Sequence, residues 1–306
     1  MEDGRKALKA SGFSSFFASK SAKYEKAVEY FTAAANSYKI AKAFREAGDA
    51  YVECAACYEK IEDSQSDWAK SLTEAGECYK RSGDMGAAVT AMQQSIGVYL
   101  DRGRWNQCGN IMKQIAEMYE SEQVDCEDPA SMALESWQAA ADYYLNESPP
   151  REQAANGCLE KVANLSALAG DLGRAAAEFE NLARHCLGSK LLKFNARGYA
   201  VKHFVCLLAT GDKVGVTEKL EEYRHQDQTI EGSREEKFVA GLLAALNGND
   251  PEGFGAAAAE YNSIKKIDPW MTRVLLTCKR SIVAENAADE EEEPEEQVAD
   301  EDEDLT

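Results

Sequence analysis

Apolar and small residues recur along this chain at the spacing of an α-helix, in steps of three and four positions. After Gly83, for example, Ala88, Met92 and Ser95 follow one another at intervals of four and three residues. Residues at these intervals lie on one face of a helix, and the small ones let a neighbouring helix approach closely. The alternation of apolar and polar residues that would indicate strands does not recur, and no proline precedes Pro129. The pattern therefore predicts an all-α protein.

The same periodicity, interrupted by glycines and prolines, sets the limits of the individual helices. The prolines fall at helix starts or in loops, where the missing N–H is tolerated. We predict helices at about 5–18, 23–38, 42–60, 66–81, 85–101, 104–120, 129–145, 151–169, 171–186, 190–209, 212–225, 233–247, 252–264 and 269–285.

Gly83 and the residues five, nine and twelve positions after it form a set that recurs along the chain. The set recurs after Gly170 and Gly211. Its first position falls at residues 88, 133, 175 and 216, which are 45, 42 and 41 residues apart, and the copy at 133 lacks the glycine. The stretch from Ala75 to Met92 is close to a tetratricopeptide repeat (TPR), although the period exceeds the roughly 34 residues of that repeat. We therefore expect a TPR-like, right-handed solenoid of antiparallel helical hairpins.

Negative charge is concentrated at the C-terminal end. Residues 285–306 carry thirteen Asp or Glu and no Lys or Arg, whereas the other 284 residues hold 34 basic and 41 acidic groups, a net of −7 out of a total of −20. We predict that the end of the chain is a solvated, disordered tail. Without a broadly basic surface, the chain is not expected to bind nucleic acid.

Residues with catalytic chemistry are scattered along the chain. Cys54-x-x-Cys57 lies in an alanine-rich helix with no second Cys or His pair nearby, so packing is favoured over a redox or metal role. His185, His203 and His225 are isolated from one another, and nucleotide-binding glycine motifs and a Gly-x-Ser-x-Gly motif are absent. We expect neither enzyme activity nor a cofactor or metal site.

The location of the protein is inferred from its thiols and its hydropathy. The N-terminus has no apolar stretch typical of a secretory signal, and no apolar run approaches the roughly 18 residues that span a bilayer. The nine cysteines are therefore expected to be free thiols in a reducing, cytoplasmic compartment.

Three phenylalanines, Phe13, Phe16 and Phe17, lie among small polar residues between flanking lysines. One interpretation is a cap that packs on the first hairpin. The other is an exposed aromatic loop that inserts weakly into a membrane interface, with the lysines favouring anionic lipid. Residue chemistry alone leaves both open.

Basic residues in the later repeats also have two interpretations. Lys190, Lys193 and Arg197 form a helical stripe, Lys202 lies further along the same predicted helix, and Lys161 lies on an earlier one. A solvated face is the default for such a stripe, and a docking surface for an acidic protein is the alternative. In either case we do not expect the side chains of Lys193 and Arg197 in the core.

Taken together, the residues resemble the family of soluble NSF attachment proteins (SNAPs), adaptors of SNARE disassembly. The resemblance extends in order over most of residues 12–285. The segments that carry it are 13–38, AGDAY at 47–51, YLDRGR at 99–104, IAEMY at 115–119, ADYY at 141–144, CLEKVA at 158–163, LLKF at 191–194, EYNSI at 260–264 and DPW at 268–270.

The resemblance implies a twisted sheet of antiparallel helices and a C-terminal bundle. The expected regions are an N-terminal helix and hydrophobic loop at 1–22, hairpins at 23–225, the bundle at 226–285 and the acidic tail at 286–306. It also implies that one face binds the acidic, syntaxin-type SNARE bundle and that the C-terminal end engages the hexameric ATPase NSF.

Several family positions carry over to this chain. The implied membrane loop contains Phe13, Phe16 and Phe17. The implied NSF contacts are Asp212 and Leu305, the penultimate residue. The implied SNARE-facing bases are Arg104, Lys161, Lys193, Arg197 and Lys202.

Other family positions differ here. Two bases of the α type are replaced by Asn110 and Gly157, and acidic positions of the bundle read Ala244, Asn247 and Gly248. These differences, with the long acidic tail, suggest the γ type. The alternative function is a generic TPR-like scaffold unrelated to SNAREs.

Overall fold

The computed structural model describes residues 1–9, 21–189 and 192–292, with side chains described up to residue 287. Within these ranges every regular element is helical and there is no strand, which confirms the all-α prediction. None of the helices described is both long and apolar enough to cross a membrane. The residues Phe13, Phe16, Phe17 and Leu305 lie outside the described ranges.

The chain forms two compact units, and the first covers Met1–Val162. From α1 to α7, each helix packs on the next one along the chain, as expected for stacked hairpins. Its helices are α1 (Glu2–Lys9), α2 (Ala22–Ile40), α3 (Phe44–Tyr58), α4 (Gln65–Ser82), α5 (Met85–Asp101), α6 (Trp105–Glu120), α7 (Pro129–Asn146) and the first part of α8 (Glu152–Ala169).

The second unit begins at Ala163, inside α8. Its central helix is α10, which packs on α9, α11, α12 and α14, while α13 packs on α12 and α14. The remaining elements are α9 (Leu172–Gly188), α10 (Lys193–Ala209), α11 (Lys213–Gln226), a 3₁₀ turn (Gln228–Ile230), α12 (Arg234–Asn247), α13 (Pro251–Ile264) and α14 (Pro269–Glu292).

Glycine–aspartate pairs set several of the boundaries. Gly83 ends α4 with a φ of +87°, a conformation that costs glycine little, and Asp84 then accepts a hydrogen bond from the Ala87 N–H at 3.1 Å. An N-cap carboxylate of this kind satisfies one of the unpaired amides at a helix start. Most observed helices therefore begin and end within a few residues of the predicted limits.

Close helix packing in the first unit depends on glycines that face tyrosines. A Cβ placed on Gly48 would lie 2.7 Å from the Tyr79 ring, and the Tyr79 hydroxyl donates to Asp49 at 2.8 Å. The arrangement recurs later, where the Tyr144 ring lies over Gly109 and its hydroxyl donates to the following residue, Asn110, at 2.7 Å. Asn110 thus fixes a tyrosine at one of the positions where the family resemblance implied a base.

Candidate functional site

Most of the cysteines, and one of the three histidines, are buried side chains of the core. Eight of the nine cysteines are buried, and burial raises the pKa of Cys57 to about 11 and that of Cys206 to about 12. His203 is also buried, which lowers its pKa, and its Nδ1 donates to the Ala176 carbonyl at 2.9 Å. Among the described residues, no group of three or more His, Cys, Asp and Glu is placed to hold a metal ion. The charged surface residues are therefore the better candidates for a functional site.

In the first unit the two predicted bases have different surroundings. Arg104 is exposed at the N-terminus of α6 and forms no ion pair with any described residue. Lys161, on α8, pairs with Glu120 at 2.7 Å and lies over the Trp137 ring, 5.7 Å from its centroid. Arg104 can meet a partner with its full charge, whereas Lys161 must share its charge with Glu120.

In the second unit Lys193 and Arg197 point toward one buried acid, Asp227. The carboxylate is only 2% exposed; Lys193 Nζ lies 3.2 Å from its Oδ1 and the Arg197 guanidinium 4.0 Å from its Oδ2. Arg197 also donates to the Thr229 hydroxyl, and its side chain is only 20% exposed. Both bases therefore lie outside the core, as expected, although Arg197 is the more enclosed of the two because a buried carboxylate has to be compensated by nearby donors and charge.

The pKa of Asp227 depends on two opposing influences, its burial and its contacts with donors and positive charge. Burial alone would raise it, but hydrogen bonds from Thr229 and Lys193, together with the Lys193 charge, outweigh burial and leave the pKa lowered. Thr229 contributes its N–H at 3.1 Å and its hydroxyl at 2.7 Å, both to Oδ1. Asp227 is thus a stable anion that caps the 3₁₀ turn and holds the two bases.

Lys202 is mostly buried as well, with 17% of its side chain exposed. Its ammonium pairs with Asp268 at 2.8 Å, donates to Asn164 at 3.3 Å and lies 5.4 Å from the centroid of the Phe179 ring. The same Asn164 oxygen accepts a hydrogen bond from the Trp270 indole at 3.0 Å, and that indole stacks on Phe179 with centroids 5.7 Å apart. Lys202 therefore anchors the start of α14.

Asp212 is exposed between α10 and α11, where its carboxylate caps α11 by accepting from the Gly215 N–H at 2.8 Å. The preceding residue, Gly211, lines a groove of about 430 Å³ among α8, α10, α12 and α14. The groove wall is largely aliphatic, and Lys213 and Arg273 are its basic residues. Its principal apolar side chains are Leu168, Leu172, Leu208, Leu246, Val274 and Ile282.

Sequence reasoning missed two features of this region. Asp227 is not distinctive in the sequence because an acidic residue after a helix is common. Only the fold shows that it is buried against two bases. Phe194 was noted only as part of the LLKF segment, yet it is 81% exposed beside Lys193. An aromatic residue within a basic helical stripe was the available signal for an outward-facing contact.

The chain is similar to proteins of known family. Residues 1–283 match the family model described as "Soluble NSF attachment protein, SNAP". The alpha-soluble NSF attachment protein of Vitis vinifera is 34% identical over 269 residues, covering 88% of this chain and 90% of that protein. The beta-soluble NSF attachment protein of Bos taurus is 33% identical over 265 residues, covering 87% and 86%. The alpha-soluble NSF attachment protein of Homo sapiens is 31% identical over 281 residues and covers 92% of each chain.

Proposed function

The chain belongs to the soluble NSF attachment protein family, and on that basis we propose that it is a SNARE adaptor. It binds assembled SNARE complexes and recruits the ATPase NSF for their disassembly in vesicle trafficking and membrane fusion. The observation that carries this proposal is the family match across residues 1–283, which covers all of the first compact unit and most of the second. No catalytic step is assigned to the chain itself, because an adaptor acts by bringing two partners together.

The SNARE contact is proposed for the bases Arg104, Lys161, Lys193, Arg197 and Lys202. The five side chains differ in how accessible they are to a partner. Arg104 faces solvent, Lys161 and Lys193 are partly exposed, and Arg197 and Lys202 are mostly buried. Exposed charge pairs contribute roughly 0–1 kcal/mol each, so binding depends on several together and weakens with added salt. Arg197 and Lys202 contribute mainly by fixing the shape of this part of the chain.

The NSF contact is proposed for the C-terminal bundle at 226–285, the neighbouring Asp212 and the penultimate Leu305. Asp212 is exposed beside an apolar groove, so a partner at that end meets both a carboxylate and aliphatic surface. We assign docking to the bundle and Asp212, and stimulation of ATP hydrolysis to Leu305.

A weak membrane contact is proposed for Phe13, Phe16 and Phe17. Burying one phenylalanine side chain contributes roughly 1.5–3 kcal/mol, so three supply a useful but reversible affinity. Such a contact makes a cytoplasmic protein peripherally associated with membranes. The proposed hairpin region at 23–225 remains available for SNARE binding.

The subtype has less support than the family. The relatives reported above carry alpha and beta names and do not support the γ type, which stays a prediction from the replaced positions. The alternative of a generic TPR-like scaffold would explain the stacked hairpins, but no observation favours it over the family assignment.

Capture of NSF and an assembled SNARE bundle tests the proposal. The chain should retain the SNARE bundle alone and retain NSF when the bundle is present. Arg104→Glu should reduce SNARE capture without lowering the melting temperature, because Arg104 is exposed and unpaired among the described residues. Lys70→Glu reverses another exposed base outside the predicted set and should leave capture unchanged. Absence of SNARE capture by the unmodified chain would contradict the proposed function.

A further inference from the structure

Asp227 places a buried negative charge directly behind two bases of the proposed SNARE contact. Its carboxylate lies 3.2 Å from the Lys193 ammonium and 4.0 Å from the Arg197 guanidinium. Opposite charges at such distances cancel much of the field that the cations would otherwise project into solvent. The three side chains together carry a net charge of about +1 instead of the +2 of the bases alone.

We propose that Asp227 is a specificity-determining residue of this surface. It holds Lys193 and Arg197 in position and, at the same time, weakens their attraction for an acidic partner. The inference rests on the proposed function, in which that partner is an assembled SNARE bundle. A partner must then compete with Asp227 for the Lys193 ammonium.

The exposure of the side chains near Asp227 agrees with this role. Lys193 is 41% exposed and can turn toward a partner, whereas Arg197 is retained by Thr229 as well as by Asp227. Phe194 is exposed beside them, so an incoming helix bundle meets an aromatic ring and a partly neutralised lysine. A surface of this kind selects partners by shape and apolar contact more than by long-range charge attraction.

Asp227→Asn tests the inference, because asparagine keeps the size of the side chain and an oxygen that accepts from Thr229. With an assembled syntaxin-type SNARE bundle as the probe, the variant should bind roughly 2- to 5-fold tighter at low salt, as expected for one unmasked surface charge. The difference should shrink as added salt screens the charge. Glu218→Gln is the matched control: it changes the net charge equally at an exposed position of α11 that pairs with no described residue.

A second substitution identifies which base is unmasked. Lys193→Gln should cost little affinity in the natural chain, where Asp227 already compensates the ammonium. In the Asp227→Asn background the same substitution should remove most of the gain. This non-additivity is the signature of a direct coupling between the two side chains.

The outcomes separate this inference from the proposed function. If the unmodified chain fails to bind the SNARE bundle at any salt concentration, the proposed function is wrong. If it binds, and folded Asp227→Asn binds equally or more weakly, Asp227 is only a structural anchor and the inference is overturned. If Asp227→Asn does not fold, Lys193→Gln is compared with Arg104→Gln. The inference requires the smaller loss of binding at Lys193, and an equal loss contradicts it.

Discussion

At the scale of single residues, the negative charge of Asp227 contributes to the stability of the folded chain. Its pKa is lowered from the ordinary 3.8, so the folded chain favours the ionised carboxylate and gains stability from it above that pH. As the pH falls through the lowered pKa, this contribution is lost. The melting temperature of Asp227→Asn should therefore lie below that of the natural chain at pH 6 to 8, and the difference should close below about pH 4. A difference that persists unchanged at pH 3 would show that the charge of Asp227 does not stabilise the fold.

The cysteines give a second test at the residue scale. Burial raises the pKa of Cys108 and Cys158 to about 11, so few of these thiols are ionised near neutral pH and none is readily reached by a reagent. Only Cys126 is not buried. A thiol reagent at pH 7 should first add once, at Cys126, and should modify all nine cysteines after unfolding in urea, as measured by mass spectrometry. Equally fast modification of Cys54 or Cys57 would contradict the packing role of that pair.

Among the elements, the contact between α3 and α4 depends on the absence of a side chain at Gly48. The Tyr79 ring occupies the space that a Cβ would need, and the bond of its hydroxyl to Asp49 restricts its movement. Gly48→Ala should therefore lower the free energy of unfolding by roughly 1–3 kcal/mol. The control is Gly97→Ala in α5, where the new methyl has no atom within 4 Å apart from its chain neighbours and the backbone of its own helix, so that higher helix propensity should stabilise by up to about 1 kcal/mol. Urea unfolding should give changes of opposite sign, and equal effects would refute the packing argument.

The docking of α14 gives the next prediction. Lys202→Glu would place a second carboxylate beside Asp268 and remove the cation over Phe179, at a cost on the order of 2 kcal/mol. Amides of α14 should then exchange hydrogen faster, as measured by mass spectrometry. Arg280→Glu makes the same change of charge on the exposed side of α14 and should leave exchange nearly unchanged. Unaltered exchange in Lys202→Glu would mean that Lys202 does not anchor the helix.

Helices were predictable from this sequence because their signals are local. Gly83 followed by Asp84, and Pro251 after Asp250, mark boundaries through conformations and hydrogen bonds that span only a few residues. The surroundings of the bases were not predictable, since they depend on distant partners. The hydrogen bond between Asn164 and Trp270 joins residues 106 positions apart, and no periodic pattern in the sequence indicates such a pair.

For the whole molecule, the distribution of charge bears on both proposed partners. Of the total of −20, eight negative charges lie in residues 293–306, which also contain Leu305. These negative residues would repel an acidic SNARE bundle over distances of about 10 Å at 0.1 M salt. The same segment is proposed to stimulate NSF through Leu305. The tail is therefore expected to oppose one association and to support the other.

Truncation after residue 292 should separate these two effects. It changes the net charge from −20 to −12, so association with an acidic SNARE bundle should be faster at low salt, and the advantage should disappear at high salt. Stimulation of NSF should be lost in the same variant, because Leu305 is removed. Leu305→Ala keeps every charge and is the matched control: it should lose stimulation while its rate of SNARE association stays that of the natural chain. Stopped-flow association and steady-state ATP hydrolysis measure the two effects independently. A truncated chain that associates no faster at low salt would show that the tail charge does not reach the SNARE contact, and undiminished stimulation by Leu305→Ala would remove Leu305 from the proposed NSF contact.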